Sequence, residues 1–183
     1  TYHLRLCDAT DGRYRKTAGG NTKVTIEFVE QLAVTQKMNS TNTNSGGYQN
    51  SAMRKTVMPS LFDDLPSELK ELICEVDITS IDNGASASGS GNLTTSPCKL
   101  FLPSEYEIFG KRTYSNALEV STQYGLYAAN NTNAFRIKMP IGGTASLWWL
   151  RSPYSSYAYG ERFVNTDGSL NNNNANNAYR VAP

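Results

Sequence analysis

The sequence predicts one α+β domain with short helices, a small antiparallel sheet and long irregular loops. Three observations lead to this prediction. Short helical patterns come first and short strand patterns follow; no helix–strand alternation or internal repeat occurs; and 183 residues suffice for one core but are short for two. We therefore treat residues 1–183 as a single domain.

The predicted helices lie in the first two thirds of the chain. After a half-buried strand within residues 23–32, a short helix is predicted over residues 50–58 and is ended by Pro59. A second helix has Pro66 in its first turn. Its apolar face is formed by Leu65, Leu69, Leu72 and Ile73.

A third helix begins with the capping-box pattern of residues 104–107 and ends at Gly110. The Gly- and Ser-rich residues 82–95 predict a loop, and residues 114–135 show no clear period.

The last fifty residues predict strands. Residues 146–150 form an apolar strand that ends at 151–153, and residues 154–160 form a loop. Further strands are expected at 162–164 and 178–182. A turn with a suitably placed glycine is expected at residues 165–168.

Trp148 and Trp149 are adjacent, so on a strand they point to opposite faces. We expect one to enter the core and the other either to cover a loop or surface or to pack as well. Arg151 is expected to make a structural ion pair or backbone contacts.

Composition excludes several classes of function. Seventeen basic against sixteen acidic residues give a net charge of +1, without the basic excess of a nucleic-acid binder. No apolar run approaches the ~20 residues that span a bilayer, so no membrane insertion is expected. The first residues lack a signal peptide and resemble the middle of a strand, which suggests a piece of a longer protein.

Catalytic and metal motifs are absent from the sequence. Cys7, Cys74 and Cys98 form no C-x-x-C, so they predict either buried free thiols or one disulfide. His3 has no obvious partner, and Asp167 is expected to form a turn rather than a calcium site. We expect no metal, no cofactor and no enzymatic activity.

Asparagine and tyrosine dominate the C-terminal end. The chain has eighteen asparagines and eleven tyrosines, and seven asparagines lie within residues 165–177. The tract has two interpretations: a polar low-complexity loop, or a binding surface. A mixture of Tyr, Ser and Asn is typical of antibody binding sites, because tyrosine supplies rigid contact area and the others adaptable hydrogen bonds.

Several motifs resemble an uncharacterised domain family of gut bacteria and their phages. The C-terminal motifs are WWLRSP at 148–153, FVNTDGSL at 163–170 and AYRVAP at 178–183. The upstream motifs are EFV at 27–29, KMNST at 37–41, SAMR at 51–54, LPSEL at 65–69 and SEYEIFG at 104–110. Many members look like variable proteins of diversity-generating retroelements, which carry a C-type lectin-like fold of the formylglycine-generating-enzyme subtype.

This resemblance implies a variable, ligand-binding region at residues 139–183. In such systems an error-prone copy of an adenine-rich template replaces the 3′ end of the gene, so AAY codons for Asn change to codons such as Tyr or Ser. The implied ligand-binding residues are Tyr154, Ser155, Ser156, Tyr157, Tyr159, Arg162, Asn165, Asn171, Asn172, Asn173, Asn174, Asn176, Asn177 and Tyr179. Trp148, Trp149 and Arg151 belong to the implied scaffold, and the codons of Trp148, Trp149 and Glu161 cannot arise from AAY.

The sequence also departs from this family and its relatives. The family usually ends in Gly-Val-Arg-Pro-Ala-Phe, whereas this chain ends in a different order. The tail has no cysteine, so the oxidase activity of formylglycine-generating enzymes is not implied. Neither tripeptide of calcium-dependent sugar-binding lectins, Glu-Pro-Asn or Gln-Pro-Asp, occurs.

The first hypothesis is therefore a non-enzymatic, receptor-binding domain that recognises a protein or glycan on a cell surface. It would reside on a phage tail tip or a bacterial surface. The alternatives are an enzyme like the formylglycine-generating group, with metal or thiol chemistry from Cys7, Cys74 or Cys98, and a structural module of a phage tail or bacterial surface protein. The sequence predicts no oligomeric state.

Overall fold

Three small sheets and several short helices make up the parts of the chain that the structure describes. The structure is a computed structural model, and it describes residues 2–9, 24–82, 91–119 and 121–183. The strands are β1 (Leu4–Asp8), β2 (Thr25–Phe28), β3 (Thr35–Lys37), β4 (Val76–Ile81), β5 (Leu93–Cys98), β6 (Trp148–Pro153), β7 (Gly160–Val164), β8 (Leu170–Asn174) and β9 (Ala178–Arg180). The α-helices are α1 (Gly47–Asn50), α2 (Met58–Asp63), α3 (Ser67–Leu72), α4 (Glu105–Phe109), α5 (Gly125–Ala129) and α6 (Asn133–Arg136). The predicted α+β class is confirmed.

The central sheet has five strands in the order β3-β9-β6-β7-β8. Its pairs are antiparallel except β6 and β9, which run parallel where Trp148 lies opposite Arg180. The hairpins β1–β2 and β4–β5 form two separate two-stranded sheets. The four predicted strands are present as β2, β6, β7 and β9, within a few residues of where the sequence places them.

The predicted helix end at Pro59 is wrong. A π-helical turn at Met53–Val57 leads directly into α2, and Pro59 lies in the first turn of α2. The missing N–H of proline costs little there, because first-turn N–H groups have no partner within the helix. The helix predicted over residues 50–58 is also interrupted, since α1 ends at Asn50 before the π-helical turn begins.

The apolar face predicted for the second helix is also wrong. Helix α3 has no buried residue, and Leu72 is 81% exposed. Leu65, which precedes the helix, is the buried residue of that set. Pro66 is the N-cap rather than part of the first turn. A helix of six residues is too short to bury a whole stripe against the core.

The capping box of α4 is confirmed. The Ser104 hydroxyl accepts from the Glu107 N–H at 3.2 Å, and a Glu107 carboxylate oxygen accepts from the Ser104 N–H at 2.8 Å. Gly110 ends the helix with a φ of 68°, a conformation that glycine adopts without strain.

Two loop predictions are wrong in part. Residues 93–95, which fall in the predicted loop of 82–95, belong to β5, and residues 83–90 lie outside the described residues. No pattern in the sequence predicted β4. The stretch 114–135 contains α5 and α6, each too short to show an apolar period.

The core consists mainly of two apolar clusters on opposite sides of β6. Trp148 lies in the cluster with Ile108, and Trp149 lies in the cluster with Tyr48 and Phe163. Both indoles are fully buried, so both pack, and neither covers a surface. Each indole N–H also donates to a backbone carbonyl, that of Arg136 at 3.1 Å for Trp148 and that of Gln36 at 2.8 Å for Trp149.

Arg151 forms the structural ion pair that the sequence predicts. Its two terminal nitrogens donate to the two carboxylate oxygens of Glu107, each at 2.6 Å, and one also donates to the Leu102 carbonyl at 2.9 Å. Burial alone would raise the pKa of Glu107, but the Arg151 guanidinium holds that pKa below its usual range. This pair joins α4 to β6 inside the core.

A second charged network connects the β1–β2 hairpin to α5 and to Lys138. The Glu27 carboxylate accepts from Arg5 at 2.5 Å, from the Tyr127 hydroxyl at 2.8 Å and from Lys138 at 3.0 Å. His3, which has no obvious partner in the sequence, contacts the Glu30 carboxylate at 2.6 Å, which corrects that expectation.

All three cysteines are free, so the interpretation as free thiols is confirmed and the disulfide is not formed. Cys7 and Cys98 are buried in separate apolar clusters, and Cys74 is half-buried beside Cys98. Helices long and apolar enough to span a bilayer do not occur among the described residues.

Replacing Glu107 by Gln should destabilise the protein by about 3–5 kcal/mol, because it leaves the buried Arg151 charge unpaired. Urea unfolding at neutral pH measures this. The control is Glu71→Gln on exposed α3, which should change the free energy of unfolding by less than about 0.5 kcal/mol. Because the Glu107 pKa is lowered in the folded state, its stabilisation is present above the usual carboxyl pKa and is lost on acidification. An unfolding free energy equal to that of the control would contradict this assignment.

Candidate ligand-binding surface

Four tyrosine rings form a contiguous surface group, which we call the tyrosine cluster: Tyr114, Tyr154, Tyr157 and Tyr159. Ring centroids are 5.8 Å apart for Tyr114–Tyr154 and 5.3 Å for both Tyr154–Tyr157 and Tyr157–Tyr159. The last pair is stacked, with an interplanar angle of 17°. Tyr114, Tyr157 and Tyr159 are 52%, 49% and 41% exposed. The cluster therefore offers several ring surfaces to solvent at one place.

Arg162 lies beneath the cluster rather than on the surface. Its guanidinium carbon is 5.3 Å from the Tyr114 centroid and 5.6 Å from the Tyr154 centroid, and its Nε donates to Glu105 at 3.0 Å. Burial lowers the pKa of Arg162, and Glu105 opposes that shift. This predicted ligand contact is fully buried, so it supports the rings from below through cation–π contacts.

Asn44 holds the backbone of the loop that carries three of the rings. Its side-chain amide donates to the carbonyls of Tyr157 and Gly160, each at 2.8 Å, and its N–H donates to the Ala158 carbonyl at 2.8 Å. Asn44 is buried, although it lies in a continuous run of polar residues, 39–45. No local pattern distinguishes it from the neighbouring asparagines, so sequence reasoning missed it.

Ser155 joins the loop to the segment that carries Tyr114. Its hydroxyl and its N–H both donate to the Tyr114 carbonyl, at 2.5 Å and 2.8 Å. An isolated bridge between Ser115 and Tyr154 adds to this connection. Ser155 is buried, so it positions the rings and is not itself displayed.

The asparagine tract is largely a strand, not a loop. Residues 171–174 belong to β8, which pairs with β7 and lies at the edge of the central sheet. The predicted turn before it is confirmed by the bond from the Gly168 N–H to the Asn165 carbonyl at 2.9 Å. Gly168 has a φ of 77°, and a side chain there would collide with the Asn133 backbone.

The register divides the tract between the two faces of the sheet. Asn172 lies opposite Arg162 and Asn174 opposite Gly160, so these two share the face that carries the tyrosine cluster. Asn171 and Asn173 therefore point to the other face. Asn173 donates there to the Tyr179 hydroxyl.

The side chains of Asn171 and Asn173 bind backbone N–H groups at the free edge of the sheet. In the β7–β8 ladder, the Asn165 N–H donates to the Ser169 carbonyl, and the Ala175 N–H donates to the Tyr159 carbonyl. Because hydrogen-bonded and non-hydrogen-bonded pairs alternate along an antiparallel ladder, the N–H groups of Asn172 and Asn174 point away from β7. Each of these outward N–H groups donates to the side-chain oxygen of the preceding asparagine, at 2.8 Å. An edge strand with occupied N–H groups resists pairing with another chain.

The structure separates the predicted ligand-binding residues by exposure. The exposed residues are Ser156, Tyr157, Tyr159 and Asn171. The half-buried residues are Tyr154, Asn165, Asn172, Asn173, Asn174, Asn176, Asn177 and Tyr179. Ser155 and Arg162 are buried. Tyr114, which the sequence analysis did not select, completes the cluster.

Tyr179 belongs to the scaffold side of this arrangement. Its ring is 4.6 Å from that of Trp149 and 5.0 Å from that of Phe163, both in the core cluster of Trp149. The tyrosines that flank the tract therefore do not all lie on one face.

His, Cys, Asp and Glu side chains are the groups that a metal or thiol site would need. No group of three or more His, Cys, Asp or Glu that could hold a metal ion occurs among the described residues. Asp167 accepts from the Ser169 N–H at 2.9 Å, as a turn residue does. Burial raises the pKa of the Cys7 and Cys98 thiols, which disfavours the reactive thiolate.

Residues 19–183 match a family model described as Domain of unknown function (DUF6273). The chain belongs to this family. The DUF6273 match covers all but the first eighteen residues, and so includes the whole tyrosine cluster and the β7–β8 hairpin. No curated protein and no solved structure matches the chain. The description of the family states no activity or ligand.

Replacing Asn171 and Asn173 together by Ala should uncover the N–H groups of Asn172 and Asn174. We expect their amide hydrogen exchange, followed by NMR, to accelerate at least tenfold, and the variant to self-associate at high concentration. The matched control is Asn172→Ala with Asn174→Ala, which keeps both side-chain acceptors. Equal amide exchange at residues 172 and 174 in the two double variants would show that the Asn171 and Asn173 side chains do not protect these N–H groups.

Proposed function

We propose that this domain is a non-enzymatic binding module whose tyrosine cluster contacts a protein or glycan on a cell surface. The observation that carries the proposal is the cluster itself: four neighbouring rings, three of them roughly half exposed. Tyrosine buries large rigid area at low entropic cost, and aromatic residues are enriched at binding hot spots.

The support beneath the rings strengthens the proposal. Arg162, Asn44 and Ser155 fix the loop and the ring positions from buried sites. A surface that is ordered before it meets a ligand loses less entropy on binding. Asn172 and Asn174 lie on the same sheet face and supply amide groups beside the rings. Aromatic area bordered by amides suits recognition by side chains.

We also propose that the domain is a variable protein of a diversity-generating retroelement with a C-type lectin-like fold. The motifs at residues 148–153 and 163–170 support this, together with asparagine at six of the seven positions 171–177. The separation of exposed or half-buried tyrosines and asparagines from a buried Trp148–Pro153 strand suits a scaffold that tolerates changes near one surface. A phage tail tip or a bacterial surface is the proposed location.

Binding is tested with the fluorescently labelled domain on a panel of intact gut bacteria. We expect Tyr157→Ala and Tyr159→Ala each to weaken attachment by roughly tenfold or more, with little change in thermal unfolding. The control is Tyr2→Ala, which removes a tyrosine of similar exposure from outside the cluster.

Pretreating the cells separates the two ligand classes. Loss of attachment after trypsin identifies a protein ligand, and loss after periodate identifies a glycan. Attachment of the cluster variants equal to that of the Tyr2 control would contradict the proposed role of the tyrosine cluster.

A further inference from the structure

Arg112 places a guanidinium beside the tyrosine cluster. It lies in the segment that follows α4 and is exposed to solvent. Its Nη1 donates to the Ser115 carbonyl at 2.9 Å, and Ser115 pairs with Tyr154 in an isolated bridge. Tyr114 lies between Arg112 and Ser115 in the chain. The guanidinium is therefore tied to the same backbone that carries two rings of the cluster.

The backbone that follows Arg112 is held by a buried carboxylate. The N–H groups of Thr113 and Tyr114 both donate to one oxygen of Glu105, that of Tyr114 at 3.3 Å. Glu105 is 0% exposed, and its other oxygen accepts from the Nε of Arg162 at 3.0 Å. The segment is thus fixed without a ligand, which reduces the entropy that binding would cost.

Most of the donors of Arg112 are available to a ligand. Within the described part of the chain, its guanidinium makes only the bond to the Ser115 carbonyl. The edge formed by Nε and Nη2 is therefore open, and this edge can donate two parallel hydrogen bonds to a carboxylate. Lys111, the preceding residue, is also exposed. Neither Lys111 nor Arg112 forms an ion pair with the described residues.

The segments that frame the cluster carry charge of one sign. These segments are residues 39–48, 111–118, 153–160 and 170–177. Lys111 and Arg112 are their only charged residues, so two positive and no negative charges give them a net charge of +2, against +1 for the whole chain. The acidic residues that directly follow two of these segments, Glu119 and Glu161, are buried. The cluster therefore has a positive local potential although the protein is almost neutral.

Tyrosine and arginine together are typical of protein interfaces. Both residue types are enriched at binding hot spots, where rings supply contact area and a guanidinium supplies a directed charge. The planar guanidinium matches the geometry of a carboxylate. Four neighbouring rings also offer a broad contact, which suits a protein surface better than a single sugar ring. These points favour a protein partner whose Asp or Glu side chains reach Arg112.

We propose that the tyrosine cluster binds an acidic protein surface, that Arg112 selects this surface, and that Lys111 adds to the attraction. This inference rests on the proposed binding function and narrows its partner to a protein that presents carboxylates. Opposite charges accelerate association and like charges exclude basic partners, and salt screens both effects. The rings supply the contact area, and Arg112 determines the sign of the charge that the site accepts.

A surface-displayed library of small protein domains with randomised surfaces tests the charge preference. We expect binders selected by the parent domain to be enriched in Asp and Glu over the unselected library. Arg112→Glu should select binders without this acidic excess. The control is Lys99→Glu, which makes the same change in charge beside the Phe62 ring, outside the tyrosine cluster. It should keep the acidic excess.

Binding kinetics of the selected acidic binders show how Arg112 acts. Arg112→Gln should weaken binding by about threefold to tenfold, mainly through slower association. It should also reduce the loss of affinity between about 0.05 and 0.5 M NaCl. Arg112→Lys keeps the charge and should retain most of that salt dependence. Both variants should unfold at the temperature of the parent protein, because Arg112 is exposed.

Equal acidic enrichment by the parent domain and Arg112→Glu would overturn the inference. So would attachment to gut bacteria that periodate removes and trypsin leaves intact, because the partner is then a glycan. Binders that need Tyr157 but show no acidic excess would remove the charge preference and leave the binding function. Acidic binders that need Arg112 but bind Tyr157→Ala equally well would instead contradict the tyrosine cluster as the binding surface.

Discussion

The complete burial of β6 is the constraint on which the rest of the structure depends. All six of its residues are buried, and two neighbouring tryptophans belong to clusters on its opposite sides. A strand buried on both faces can hold a charged residue only if that charge is fully paired. Arg151 meets this condition through its two hydrogen bonds to Glu107, which is itself fixed by the capping box with Ser104. One interaction thus connects helix capping, core packing and the position of the central sheet.

The tyrosine cluster depends on this scaffold through a second layer of buried polar residues. Arg162 supports two rings and is itself held by Glu105, a neighbour of the α4 cap on the same short helix. Asn44 and Ser155 tie the loop between β6 and β7 to distant segments. None of these three residues needs to touch a ligand. Their burial separates the residues that hold the surface from the exposed rings that form it, so the rings can change with little loss of stability.

Sequence patterns were most informative where the structure depends on local rules. The capping box of α4 and the turn at residues 165–168 follow from side chains a few positions apart, and both are confirmed. The predictions failed where long-range contacts decide. The tract at 171–174 became a strand because β7 provides a ladder for it, and Arg162 is buried because Glu105, 57 positions away, pairs with it. Asn44 was missed for the same reason, since its acceptors lie more than a hundred residues later.

The central claim is that a fixed, buried scaffold displays a surface that changes. Deep sequencing of the 3′ end of the gene in its native population, with the flanking DNA, tests it most directly. The account predicts variable codons at the exposed positions Ser156, Tyr157 and Tyr159 and at the β8 asparagines, with Trp148–Pro153 invariant and an AAY-rich near-copy close by. Invariant codons at the exposed positions with no template copy, or variation concentrated in the buried strand, would contradict it.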